Sequence, residues 1–122
     1  RTASDWLSVD EENVDAYLAD PLCGGEMTVG LFRQMLRGIR FNQRFASLDR
    51  MNGTTPVLLI SGSSDPVGDM GTGVNQTYTE FKRSGVADCT VKLYPKLRHE
   101  ILNEKTRQYV YRDVLDWLES RC

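Results

Sequence analysis

The clearest hydrophobic pattern in the chain is an unbroken apolar run at residues 57–60, VLLI, which follows Pro56. A short run of β-favouring apolar residues predicts a strand buried on both faces, as parallel strands in α/β folds are. Residues 62–68, GSSDPVG, are nearly all turn formers, so the chain should leave the sheet there. Asp65 is therefore expected at the carboxyl edge of the strand, where ligands bind in open α/β sheets.

A second strand is predicted at residues 90–94, TVKLY, and His99 follows it closely. Between the two strands, Thr72 is expected to cap a helix that runs to Arg83, and Gly85 is placed to end that helix in a left-handed cap. Strands joined by a helix run parallel with a right-handed crossover, so their carboxyl ends lie side by side. The two loops that follow these strands are therefore expected to meet.

Two helices are predicted before the first strand from apolar residues at three- and four-residue spacing. The first has Asp10 as its cap and ends at Asp20, because a residue before proline is pushed out of the helical region. The second is capped by Thr28 and continues raggedly to Leu48. Its apolar face consists of Leu31, Phe32, Met35, Leu36 and Ile39. Such a face fits either packing against a core, the commoner role, or a mobile lid that meets an acyl chain.

The last helix is predicted to start at Asn103, with Val110, Val114, Trp117 and Leu118 on one face. The predicted fold is α/β, in the order helix, helix, strand, helix, strand, helix. Two strands make a small sheet, and the all-apolar first strand indicates a neighbour that this sequence does not contain. We expect the chain to be a piece of a longer protein whose amino-terminal half is missing here. The isolated chain should self-associate, by pairing of the exposed strand edge or by exchange of its cap helices, or else retain a separately cleaved amino-terminal half.

Composition and charge argue against several kinds of partner. With 122 residues, 40% of them hydrophobic, the chain is long enough to bury a core. Its net charge of −2 and scattered basic residues disfavour nucleic acid. No apolar run approaches the roughly 20 residues of a membrane-spanning helix. The first residues lack the apolar centre of a signal peptide, so we expect a cytoplasmic protein with no transmembrane segment.

The cysteines, Cys23, Cys89 and Cys122, form no CxxC pair. With a single histidine available, they argue against a zinc site of Cys and His ligands, and their odd number argues against a disulfide framework. We interpret them as reduced thiols and expect no metal or organic cofactor. A redox module built on Cys89 or Cys122 is an alternative, but neither thiol has an evident basic setting that would activate it.

Asp65 and His99 are the candidate catalytic residues. Neighbouring strands lie roughly 4.8 Å apart, so short loops can bring two such side chains within hydrogen-bonding reach. An Asp that orients a His is two thirds of a nucleophilic triad. Residues 62–66, GSSDP, lack the closing glycine of a G-x-S-x-G nucleophile turn. From the residues alone, an exposed turn Asp and an unrelated surface His are the favoured interpretation, because an isolated pair is weak evidence for a site.

Two further groups of residues lie near the candidate pair in sequence. Glu100 and Glu104 fit either an orienting role for His99 or a solvated surface, and we expect the surface because Glu is rarely fully buried. The glycines at positions 68, 71 and 73 precede no Lys-Ser/Thr pair, so they do not indicate a phosphate loop. Neither group predicts a function by itself.

Three segments of the chain resemble one known family: LLISGSSDPVGDMGTGV from residue 58, LYPKLRHEILNE from residue 93 and VYRDVLDWLE from residue 110. They are similar to the carboxyl-terminal half of α/β hydrolases of the lysophospholipase group, also called serine aminopeptidase-like or monoacylglycerol-lipase-like. The resemblance implies a helical cap or lid at residues 1–52 and the carboxyl-terminal part of the hydrolase core at residues 53–122.

The resemblance also implies a function. Asp65 would be the triad acid and His99 the triad base, with the nucleophilic serine upstream of this chain. The substrate would be a carboxylic ester such as a lysophospholipid or a monoacylglycerol, with no cofactor, and the chain alone would be inactive. The alternative from another class is a non-catalytic α/β binding or interaction domain.

Overall fold

The structure is a computed structural model, and it describes residues 1–121; Cys122 lies outside the described residues. Its helices are α1 (Glu11–Ala19), α2 (Val29–Asn42), α3 (Phe45–Leu48), α4 (Thr72–Arg83) and α5 (Arg107–Glu119), and its strands are β1 (Val57–Gly62) and β2 (Cys89–Tyr94). A 3₁₀ turn, Asp69–Gly71, precedes α4. The predicted α/β fold is confirmed, with one addition: the ragged end of the second predicted helix is the separate helix α3.

The two strands form a parallel pair, with Val57 opposite Cys89 and Gly62 opposite Tyr94. Helix α4 connects them, so their carboxyl ends lie at the same edge, as predicted. The prediction that residues 57–60 are buried on both faces is wrong for this chain, since those residues are only half-buried. Among the described residues, β1 has a strand neighbour on one side alone.

Several helix ends agree with the predicted caps. The Asp10 carboxylate accepts a hydrogen bond from the Glu12 N–H, and the Thr28 hydroxyl accepts one from the Leu31 N–H, both at 3.1 Å. Gly85 follows α4 with a φ of 95°, and the next N–H, that of Val86, donates to the Phe81 carbonyl. That 6→1 bond with a left-handed glycine is the Schellman ending expected after Arg83.

Two predicted caps are wrong. The residue that caps α4 is Gly71, with a φ of 87°, and Thr72 is already helical. The last helix starts at Arg107 and not near Asn103, because the chain between them forms turns. Asn103 belongs to one of these turns: its N–H donates to the Glu100 carbonyl at 2.8 Å, a local bond that competes with helix initiation.

The core lies beneath the carboxyl ends of the strands. Tyr94, Ile101 and Val110 are buried together, and Ile60 and Leu97 pack against them. The predicted inward face of α5 is only partly correct, since Val114 and Trp117 are half-buried whereas Leu118 is exposed. This buried cluster therefore supports the loop after β2.

Helix α2 contrasts with this core, because all of its residues are exposed. Its apolar face, defined above as Leu31, Phe32, Met35, Leu36 and Ile39, therefore packs against no core within residues 1–121. The described helices include none that is both long and apolar enough to cross a bilayer.

Arg121 ties the end of α5 to the start of β2. Its guanidinium donates two hydrogen bonds to the Asp88 carboxylate, at 2.7 and 2.9 Å, and stacks on the Trp117 ring with 4.1 Å to the centroid. The guanidinium holds the pKa of the Asp88 carboxyl below its usual range. This pair therefore connects the helix to the sheet in a pH-dependent way.

We predict that Arg121→Ala destabilises the chain less at acid pH than at neutral pH. Because the pKa of Asp88 is lower in the folded state, the pair stabilises fully above the ordinary carboxyl value, about 4, and is lost as pH falls through the folded value. Urea unfolding at pH values from neutral to about 3 measures the difference in unfolding free energy between the unmodified chain and Arg121→Ala. This difference should fall with pH until only the contribution of stacking on Trp117, which does not depend on pH, remains. Arg112→Ala, at an exposed arginine of α5, is the matched control. A loss of stability in Arg121→Ala that grows as the pH falls would contradict the prediction.

Candidate active site

Asp65 lies in the tight turn that follows β1. One carboxylate oxygen, Oδ1, accepts a hydrogen bond from the Val67 N–H at 2.9 Å, closing a local turn around its own side chain. The Asp65 carbonyl accepts the Met70 N–H at 2.9 Å. The residue is only 5% exposed. Turn formation thus buries and fixes the carboxylate at the carboxyl edge of the sheet, where the sequence placed it.

The loop that carries His99 is held against this turn by hydrogen bonds between the two. The Ser64 N–H donates to the Leu97 carbonyl, and the Lys96 N–H donates to the Ser63 hydroxyl, both at 2.9 Å. Gly62 allows the approach, because a Cβ there would overlap the carbonyl oxygen of Leu97. The two loops therefore form one rigid edge.

Within this edge, Nδ1 of His99 lies 3.0 Å from Oδ2 of Asp65. A carboxylate oxygen only accepts, so the pair is made by an Nδ1–H donor, and Nε2 is the ring nitrogen left to take a proton. The imidazole is 39% exposed while its carboxylate partner is buried. A fixed acceptor behind an accessible imidazole can orient a general base.

Trp6 was not predicted to belong to the site. Its ring lies against the His99 imidazole, with 5.1 Å between ring centroids and 52° between ring planes. The contact arises because residues 1–10 pack along the loop after β2, and nothing in the local sequence around Trp6 signals that placement. Trp6 is itself 39% exposed, so it covers part of the imidazole without sealing it.

The prediction that Glu104 lies at a solvated surface is wrong, since Glu104 is completely buried. It accepts hydrogen bonds from the Ser8 hydroxyl at 2.8 Å, the Val9 N–H at 3.0 Å and the Arg98 N–H at 3.3 Å. These donors satisfy the buried charge. Glu100 is half-buried and bonds to Asn13 and Asn103. Neither glutamate side chain hydrogen-bonds to the His99 ring.

The chain matches a known protein family over most of its length. The sequence profile of the family described as serine aminopeptidase, S33, matches residues 1–106. The chain belongs to this family. The resemblance to serine aminopeptidase-like α/β hydrolases, inferred from three short segments, is thereby confirmed for most of the chain.

This S33-family chain is 34% identical, over 122 residues, to a monoacylglycerol lipase from Mycolicibacterium smegmatis. The match covers 96% of the chain but 39% of the lipase. The chain thus spans about two fifths of the length of that curated relative, and it is a lipase- or esterase-like α/β hydrolase segment.

Solved structures show the same fold over nearly the whole S33-family chain. A thermostable carboxyl esterase from Bacillus coagulans, in complex with glycerol, superposes with a TM-score of 0.90 at 24% identity, covering 98% of this chain and 39% of the esterase. A monoacylglycerol lipase from Paleococcus ferrophilus gives a TM-score of 0.70 at 23% identity, and the match covers 99% of this chain and 44% of that lipase. The partial α/β-hydrolase fold predicted from sequence is confirmed.

Other chemistry finds little support in the described part of this S33-family chain. Burial raises the pKa of the Cys89 and Cys23 thiols, which disfavours the thiolate that redox chemistry needs. Both cysteines are free, and the prediction for Cys122 lies outside the described residues. Within residues 1–121, no three His, Cys, Asp or Glu side chains converge closely enough to hold a metal ion.

Proposed function

We propose that this chain supplies the acid and the base of a serine hydrolase that acts on carboxylic esters, with Asp65 as the acid and His99 as the base. The observation that carries the proposal is the 3.0 Å contact between His99 Nδ1 and buried Asp65 Oδ2 at the carboxyl edge of the parallel strands. The nucleophilic serine and the oxyanion-binding groups come from a segment that precedes this chain. Membership in the S33 family supports this assignment.

In the proposed reaction, the serine Oγ attacks the ester carbonyl and its proton passes to Nε2 of His99. Asp65 stabilises the imidazolium and holds the proton on Nδ1. The C–O bond to the alcohol then breaks, and Nε2 donates its proton to the departing oxygen. Nε2 then takes a proton from a water molecule, which attacks the acyl carbonyl. The C–O bond to the serine breaks, Nε2 returns the proton to the serine Oγ, and the carboxylic acid leaves.

The substrate class follows from the relatives and from α2. One relative is described as a monoacylglycerol lipase, which supports a monoacylglycerol as the substrate; a lysophospholipid is a second ester of the same chemical class. The exposed apolar face of α2 suits contact with an acyl chain. We assign residues 1–52 to a cap over the site and residues 53–122 to the core, with the first ten residues also contacting the loop after β2.

A chimeric enzyme tests the proposal. The segment of the M. smegmatis lipase that matches this chain is replaced by the chain itself, and hydrolysis of p-nitrophenyl esters of graded acyl length is measured beside the parent lipase. We expect the chimera to hydrolyse esters and the isolated chain to stay at the buffer rate, because a base without nucleophile and oxyanion hole retains little catalytic power.

Two outcomes would contradict the proposal. A folded chimera that is inactive on every ester would favour the alternative of a non-catalytic binding domain. Serine-type turnover by the isolated chain would mean that it carries its own nucleophile. Circular dichroism and size exclusion of the chimera establish folding in both cases.

A further inference from the structure

Glu104 is a completely buried carboxylate that the proposed reaction does not use. Burying a charge costs several kcal/mol unless donors satisfy it. The donors here are three: Oε1 accepts from the Val9 and Arg98 N–H groups, and Oε2 accepts from the Ser8 hydroxyl. Such a fully bonded carboxylate fixes the segments that provide its donors.

Those donors come from two distant parts of the chain. Ser8 and Val9 precede α1, whereas Arg98 is the residue directly before His99. The Arg98 guanidinium donates to the carbonyls of Asp5 and Ser8. Glu104 thus joins the amino-terminal segment to the backbone that leads into the imidazole.

The residue after His99 is held by the same amino-terminal segment. The Glu100 N–H donates to the Leu7 carbonyl at 2.7 Å. The backbone is therefore fixed on both sides of His99. The segment that contacts it also carries Trp6, whose ring lies against the imidazole.

We propose that Glu104 is the positioning residue of His99: by clamping residues 8–9 to Arg98, it keeps Nδ1 on Asp65 and the Trp6 ring on the imidazole. Only the catalytic consequence of this clamp rests on the proposed function. The geometric consequence, one tautomer and one ring environment for His99, belongs to this chain by itself.

The sole histidine of the chain makes the proposal directly measurable. With ¹⁵N-labelled histidine, NMR of the 122-residue chain at a pH where the ring is neutral reports which nitrogen carries the proton. We expect the Nδ1–H form, with ring protons shifted by Trp6. In Glu104→Gln, we expect a shift toward the Nε2–H form, which a free imidazole prefers, and loss of the Trp6 shift.

The matched control is Glu100→Gln. Glu100 adjoins His99, but its side chain bonds to Asn13 and Asn103, so this variant should keep the wild-type histidine spectrum. If Glu104→Gln fails to fold, Ser8→Ala removes the donor to Oε2, together with the acceptor of the Asp10 N–H, and should show the same change to a smaller extent. A folded Glu104 or Ser8 variant with a wild-type histidine spectrum would overturn the proposal.

The chimera gives a second, kinetic measurement. Glu104→Gln should lower kcat by about 10²-fold, as a misplaced catalytic group does, while KM stays unchanged because Glu104 does not contact the substrate. A raised KM with unchanged kcat would contradict positioning. If the wild-type chimera proves inactive, the proposed function fails, but the NMR comparison still decides the role of Glu104.

Discussion

His99→Ala should lower kcat of the chimeric enzyme by at least about 10⁴-fold, because the ring nitrogen that accepts the serine proton is removed. Asp65→Asn should cost about as much. Its amide oxygen keeps the Val67 N–H, so its NH2 group faces Nδ1 and donates to it, which leaves the ring proton on Nε2, the nitrogen that must accept the serine proton. Both losses are measured as initial rates of hydrolysis of the p-nitrophenyl ester that the chimera cleaves fastest. Neither change should unfold the protein, because His99 is substantially exposed and Asn fits the Asp65 turn.

The matched control for this prediction is Asp69→Asn. Asp69 lies in the same loop, but it is exposed and its φ of 50° suits asparagine as well as aspartate. It should retain the activity of the unmodified chimera. An Asp65→Asn or His99→Ala chimera with more than a tenth of that activity would remove these residues from the catalytic assignment.

Gly62→Ala should destabilise the isolated chain by about 3 kcal/mol, the upper range for overpacking. A Cβ at this position would overlap the carbonyl oxygens of Leu97 and Arg98, and those atoms belong to the backbone that leads to His99. Relief requires the loop after β2 to move away from β1. Urea unfolding followed by circular dichroism measures the loss of stability.

Gly38→Ala, the same change at another glycine, should have the opposite effect on stability. Gly38 lies inside α2 with open space around it, so alanine should stabilise the helix by about 0.5–1 kcal/mol. If Gly62→Ala were as harmless as Gly38→Ala, the two loops would not approach each other as closely as described.

The sequence was sufficient to predict the meeting of Asp65 and His99 because the signals for it are local. An apolar run and a series of turn formers define the end of β1, and a helix between two strands dictates a parallel pair. The meeting of their carboxyl ends can then be predicted without any knowledge of packing. The catalytic roles of the two residues stay a prediction that the chimera must test.

The errors share a physical cause, which is competition from tertiary or neighbouring contacts. Asn103 has the chemistry of a helix cap, but the turn bond to Glu100 uses it elsewhere. Glu104 was assigned to the surface from its residue type, whereas three donors make its burial tolerable. Trp6 reaches His99 only through chain segments that lie far apart in sequence, and no local pattern encodes such a contact.

The hydrogen bond between Ser8 and Glu104 joins residues that are 96 positions apart. Closing a loop of that length costs about 4 kcal/mol of chain entropy, before strain and packing are counted. We expect contacts of such long range to form after the two strands and α4, whose pairing closes shorter loops. The same contacts should be among the first to break when the amino-terminal segment unfolds locally. We therefore expect that opening of the amino-terminal segment leaves the Asp65 turn in place but releases the imidazole from its fixed orientation.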